Sequence, residues 1–300
     1  MTMRSAIVSG VIILLTMTGQ PAAGSSYPVF AEKPINDPST VVNRPPNIQG
    51  LTGLVFTNSA YTQPKGRIVA GLSSIAENST DPDFSILQGF ATVTAGITDR
   101  IEIGIRAQAI ADNLGSSKMR EIGLGDTDLL VKWRITSEGD TLPAIAIGMA
   151  LTFPTGDSTK GFNDVEDGGM RFMLIGTSEK EMPGDYFIGV YFEGQVVFKD
   201  KMPWTSSKDI KAYAEEYGVV NAGLLFPLTE DRNLQAIYEF TTVVQKDLPT
   251  VNAENHTGNM VGLRYVTERA NISVGAQFYN RDAEGVKSTV RYVGTISYAF

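Results

Sequence analysis

The chain has 300 residues, a formal net charge of −8, one histidine and no cysteine. The acidic balance argues against a nucleic-acid partner, and without cysteine an exported form must be stable without disulfides. The length admits one large β domain or two average ones.

Residues 1–24 (MTMRSAIVSGVIILLTMTGQPAAG) combine a cationic start at Arg4, an apolar run and small residues at Ala22 and Gly24. That is the layout of a secretory signal peptide. The apolar run is shorter than the roughly 20 residues of a membrane-spanning helix. Residues 25–63 follow as an N-terminal extension rich in proline and polar residues, which suggests extended chain. A periplasmic tail is the expected place for it, and a plug folded into a lumen is the alternative. Within it, LTGLVFTNSA reads as a short β or apolar element.

From residue 64 to the end the pattern changes to period-two alternation. Twelve segments are expected, near 66–76, 84–97, 100–111, 123–136, 142–153, 169–178, 185–199, 213–227, 232–246, 256–267, 270–280 and 286–300. Their connections alternate in length. Thr98–Arg100, TSEGDT, EKEMPG, LTEDR and TERA are short, whereas PTGDSTKGFNDVEDGG and DKMPWTSSKDIKA are long. Short periplasmic turns, longer external loops and an even strand number are the marks of an outer-membrane barrel. The expected fold is therefore all-β, a transmembrane antiparallel up-and-down β-barrel over 64–300 in the bacterial outer membrane. A secreted β-sandwich remains a weaker alternative.

Parity sorts the faces. In RIEIGIRAQAIA, Ile101, Ile103 and Ile105 oppose Glu102, Arg106 and Gln108. A basic residue at the lipid midplane costs about 2–4 kcal/mol, so the charged faces must point inward. This nominates Glu102, Arg106, Asp126, Asp128, Lys132, Arg134, Arg171, Glu193, Glu239, Arg264 and Arg291 as lumen-lining residues that tune selectivity, with Arg67, Lys199 and Glu215 beside them. The mixture of signs fits either a polar channel or a lumen closed by salt bridges. Trp133, Tyr186, Phe226, Tyr265, Tyr298 and Phe300 fall at the periplasmic rim, and Phe153, Phe198 and Phe278 at the outer rim, as bilayer girdles require.

The terminal RYVGTISYAF resembles the C-terminal signal that the barrel-assembly machinery reads in outer-membrane proteins, with Tyr298 and Phe300 as its aromatics. Three further stretches, NSAYTQPKGRIVAGLS (58–73), GLGDTDLLVKWRI (123–135) and ALTFPTGD (150–157), resemble the outer-membrane family labelled for the MetA pathway of phenol degradation. That resemblance implies a single barrel that passes small hydrophobic or aromatic molecules. It carries over no site residues.

Little else suggests chemistry. His256 has no adjacent serine, and no G-x-S-x-G occurs, so the chain is not expected to be an enzyme. Asp157, Asp164, Glu166 and Asp167 form an acidic loop in which bound cations are possible, although a solvated loop is commoner and no metal site is assigned. No cofactor is expected. The expected partners are outer-membrane lipid and lipopolysaccharide, the assembly machinery and a small-molecule solute. The expected function is a channel for passive uptake of small molecules, with a non-conducting surface-binding or structural barrel as the alternative.

Overall fold

The computed structural model describes residues 44–80, 83–114, 121–139, 142–160, 162, 165–182, 186–199, 216–245, 256–281 and 289–300. They form twelve strands: β1 (Ile68–Thr80), β2 (Asp83–Thr98), β3 (Ile101–Leu114), β4 (Glu121–Thr136), β5 (Ala144–Phe153), β6 (Gly169–Met182), β7 (Tyr186–Lys199), β8 (Glu216–Pro227), β9 (Leu234–Gln245), β10 (His256–Val266), β11 (Ala270–Arg281) and β12 (Thr289–Ala299). Each strand pairs antiparallel with its neighbours in sequence, and β12 returns to β1 to close the barrel. The seam runs from Val69 opposite Ala299 to Asn78 opposite Val290. It ends where the Phe300 N–H donates to the Ile68 carbonyl at 2.9 Å. Closure leaves no strand edge, which a sheet in lipid requires because nothing there can satisfy free backbone groups.

The outward face is apolar. Ile105, Trp133, Phe192, Val274, Phe278 and Tyr292 are all half or more exposed. Trp133, Phe226, Tyr265 and Phe300 are exposed toward the turn-bearing end, and Phe153 and Phe278 toward the other. The side chain of Tyr186 lies outside those described. The belt and its aromatic borders are those of a barrel in a bacterial outer membrane, bathed in lipid.

Residues 44–65 depart from the preferred expectation of a periplasmic tail, because they lie inside the barrel. Bridges between Pro46 and Thr52 and between Gly53 and Asn58 fold them into two short antiparallel turns, and Lys65 then pairs in parallel with Gly96 on β2. Leu51, Ala60 and Tyr61 have no exposed surface at all. The reason is chemical: its short bridges satisfy only part of its main chain, and the remaining N–H and carbonyl groups find partners in the polar lumen. The wall leaves room for it. A Cβ on Gly104 of β3 would stand 2.2 Å from the Gly50 carbonyl oxygen, so only glycine allows that approach.

Much of the long β5–β6 connection is also described. It contains a 3-10 turn, Ser158–Lys160, and Phe162 and Val165 beyond it are 5% and 2% exposed. Phe162 fills the notch at Gly123, whose Cβ would lie 2.5 Å from the ring. Gly125 lies within the β3–β4 register shift, where the partners pass from Ala107–Thr127 to Ala109–Leu124, and Gly123 lies just beyond it, the irregularity that glycines at this end of β4 suggest.

Candidate functional site: the lumen and the segment inside it

The charged residues nominated by parity do face inward, but many bind the main chain of residues 44–65. Glu239 on β9 accepts from three consecutive backbone N–H groups, Val55 (3.1 Å), Phe56 (3.0 Å) and Thr57 (2.7 Å). Glu193 on β7 accepts from the Asn58 N–H at 3.1 Å, from its side-chain amide at 2.5 Å and from Asn221 at 3.1 Å. Glu102 on β3 accepts from the Thr52 N–H at 2.9 Å and the Gln63 N–H at 2.7 Å, and also from the Thr52 hydroxyl.

Cations take the carbonyls. Lys132 Nζ donates to the Thr52 carbonyl at 3.2 Å and the Ser59 carbonyl at 2.9 Å, and forms a 3.0 Å ion pair with Glu102; neither side chain of the pair is exposed. Arg264 donates to the Gly53 carbonyl at 3.2 Å and to Ser273. Buried backbone groups are satisfied almost without exception in stable proteins, and here the wall does for residues 52–63 what a neighbouring strand does elsewhere.

The periplasmic end holds Tyr61. Its hydroxyl donates to Glu138 at 2.6 Å, and its ring lies 3.6 Å beneath the Arg44 guanidinium. Burial, reinforced by the nearby Glu179 charge, raises the Tyr61 hydroxyl well above its ordinary pKa, so it stays a donor. Arg44 pairs with Glu179 at 2.9 Å, and Tyr191 donates to the same carboxylate at 2.6 Å. Arg134 sits 5.8 Å from the Tyr61 ring and donates to the Asp99 carbonyl at 2.8 Å. Arg67 reaches the Glu268 carbonyl at 3.2 Å.

Other nominated residues lie toward the outer end. Asp128 accepts from Arg106 at 2.6 Å and Arg171 at 3.4 Å. Arg291 pairs with Glu77 at 2.7 Å and stacks 3.8 Å over Tyr279, which also stacks with His256. Lys199 lies 5.7 Å above the Tyr217 ring. Asp126 clamps the β5–β6 loop: its carboxylate oxygens accept from the Gly156 N–H (2.8 Å) and the Val165 N–H (2.9 Å). The GLGD and PTGD motifs thus meet in space. Glu215 and Asp164 lie outside the described residues. Among the described residues, no group of three or more His, Cys, Asp or Glu is placed to hold a metal ion.

Sequence reasoning missed the apolar half of the interior. Leu54 and Val55 pack with Leu225, Ile237 and Met260. Leu51 and Tyr61 pack with Leu130, Met173 and Ile175. Each fully buried aliphatic or aromatic side chain is worth about 1.5–3 kcal/mol, so these clusters hold the segment alongside the hydrogen bonds. A signal was available: Leu129-Leu130, Leu174-Ile175 and Leu224-Leu225 are adjacent apolar pairs, which put one apolar residue on each face. A water-filled lumen gives no reason for the second.

No family model matches the sequence, and no curated protein matches it. Among solved structures the chain is similar to an outer membrane channel from Pseudomonas putida F1, at 11% identity and a TM-score of 0.53, over 80% of this chain and 98% of that one. It is also similar to the NanC porin, at 10% identity and a TM-score of 0.50, over 76% and 98%. These likenesses show an outer-membrane barrel fold, and the resemblance to the phenol-pathway family stands at that level. One expectation is corrected. An outer-membrane barrel fold does not exclude an activity, so "not an enzyme" is not carried forward.

Proposed function

We propose that the protein is a passive outer-membrane channel for small molecules, and that residues 44–65 are its gate. The observation that carries this reading is the mode of anchoring. Glu102, Glu193, Glu239, Lys132 and Arg264 hold the segment by its main chain, inside a barrel whose wall is complete without it. Such contacts can be released together when the segment moves, and the wall strands keep their own pairing. The similarity to channels and porins supports the transport role. The apolar lining at Ile75, Phe90 and Val293, with the phenol-pathway resemblance, supports hydrophobic or aromatic solutes. Tyr298 and Phe300, packed edge to face at 5.2 Å on the last strand, serve in this reading as the assembly signal.

The filled lumen equally favours a second reading, a non-conducting barrel with a surface-binding or structural role. A reversible lock separates the two. The Ser59 and Thr177 hydroxyl oxygens lie 3.4 Å apart, close enough for cysteines at both sites to reach the roughly 2.05 Å of a disulfide after a small shift. The native chain has no cysteine to interfere. In planar bilayers, the oxidised Ser59→Cys/Thr177→Cys protein is expected to be silent and the reduced protein to show discrete steps. Silence in both states supports the non-conducting barrel, and equal conductance in both removes residues 44–65 as the gate.

A further inference from the structure

Arg106, Asp128 and Thr152 lie side by side on β3, β4 and β5, as directly opposed residues in register. Asp128 is saturated: one oxygen accepts from Arg106 Nη2 (2.6 Å) and Arg171 Nη2 (3.4 Å), the other from Thr152 Oγ1 (2.7 Å). Two guanidiniums therefore share one carboxylate, which leaves a net positive charge. The carboxylate side chain is 1% exposed, whereas those of Arg106 and Arg171 are 16% and 15% exposed. A solute entering from the outer end meets the cations and not the anion beneath them. The Arg106 Nε–H, moreover, finds no acceptor among the described residues.

The same site contains an acceptor supplied by the gate. Gln49 Oε1 accepts from Arg171 Nη1 at 3.1 Å and from Gln195 Nε2 at 3.0 Å. The Asn58 amide approaches the same oxygen at 3.5 Å, and the Gln49 amide nitrogen donates to the Phe56 carbonyl. A neutral amide oxygen thus occupies a position lined by donors, one of them a guanidinium with positive charge in excess. A carboxylate oxygen makes stronger, charge-assisted bonds to those donors than an amide oxygen does. The nearest opposing charge is Glu193, one amide away through Asn58, whereas the Arg171 guanidinium touches the position directly at 3.1 Å.

Building on the channel reading above, we propose that Arg171, Arg106 and Gln195 form an anion station for the carboxylate of a small organic acid, and that the acid takes the place of Gln49 Oε1. Binding at the station then removes one tie between residues 44–65 and the wall. A ligand shifts a conformational equilibrium by as much as it prefers one state, and the acid prefers the state in which Gln49 has withdrawn. The solute itself weakens the gate.

The test uses the full chain in lipid nanodiscs and equilibrium dialysis of labelled benzoate, with benzyl alcohol as the neutral control of similar shape. Wild type is expected to bind benzoate in preference to benzyl alcohol. Arg171→Gln is expected to weaken benzoate at least 10-fold. Gln49→Glu, which supplies the station with its own carboxylate, is expected to weaken it at least as much, whereas Gln49→Ala tightens it several-fold. Opposite signs from two substitutions at one position cannot come from misfolding. Equal binding of the two probes, or Gln49→Glu and Gln49→Ala moving benzoate binding in the same direction, overturns the proposal. The Ser59–Thr177 lock tests the channel separately: lock-dependent conductance without this benzoate pattern sinks the station alone. The benzoate pattern in a barrel silent in both redox states upholds the station and sinks the channel.

Discussion

Glu239 Oε1 stands 2.7 Å from the backbone nitrogen of Thr57, although 182 positions separate the two residues in the chain. The same carboxylate binds the two preceding N–H groups, and it is 1% exposed. Glu239→Ala leaves three buried donors without an acceptor, each costing about 1–3 kcal/mol. The barrel is expected to stay folded, because β9 keeps its ladder with β8 and β10. Hydrogen exchange at Val55, Phe56 and Thr57 should accelerate by two orders of magnitude or more. Unchanged protection there would mean that the apolar clusters alone hold the segment.

The Glu102–Lys132 pair tests a different bond. Removing one member of a buried ion pair costs about 3–5 kcal/mol, because the other charge is stranded. Lys132→Met is expected to lower the urea midpoint strongly. The double variant with Glu102→Gln should recover part of the loss, since it strands no charge. A double-mutant cycle in lipid vesicles reads the coupling, expected at about 1–3 kcal/mol. Strict additivity would show that the pair does not act as a unit.

Gly104→Val probes the slot. Its Cβ would enter the space of the Gly50 carbonyl, while valine suits a strand better than glycine does. The wall is expected to assemble with normal heat-modifiable gel mobility, and the segment is expected to be displaced. Limited proteolysis from the periplasmic side should then cut within 44–65, where the wild type is expected to resist. Resistance equal to wild type would show that the segment can shift within the lumen and stay sheltered.

At the outer mouth, Asp126→Asn keeps one acceptor oxygen and replaces the other with a donor, so it cannot serve both the Gly156 and the Val165 N–H. The β5–β6 loop should loosen, and external protease should cut near Ser158–Lys160. The β-barrel ladder and its melting behaviour should change little. A loss of barrel stability instead would mean that the loop is part of the wall's own support.

Alternation made the wall legible. The opposition of Ile103 to Glu102, repeated on most strands, marks the faces, and the expected strands lie within a few residues of those formed. The interior was legible only as a set of charges. Glu102 pairs with Thr52 and Glu193 with Asn58 through main-chain N–H groups that every residue except proline carries, so no residue type betrays the partner. Glu179 escaped notice for another reason: β6 was expected to end near residue 178, and the strand runs on to Met182. Its inward parity exists only in that last stretch. Glu138 sits in a turn, where period-two reasoning has no purchase, yet it receives both Tyr61 and the Glu179 N–H.

A receptor that reads main chain is nearly blind to spelling. Glu239 would bind the N–H groups of almost any residues at 55–57, and Lys132 the carbonyls of almost any at 52 and 59. The sequence of the enclosed segment is thus free to drift at positions such as Phe56, whose backbone does the binding, provided that its path is kept. The constraint falls instead on the places where a side chain or its absence is itself recognised, among them the Asn58 amide, the Tyr61 hydroxyl, the packed Leu51, Leu54 and Val55, and the bare Cα of Gly53, where a Cβ would strike the Thr57 carbonyl at 2.2 Å. Relatives of this protein are therefore free to share one enclosed path while sharing few of its letters.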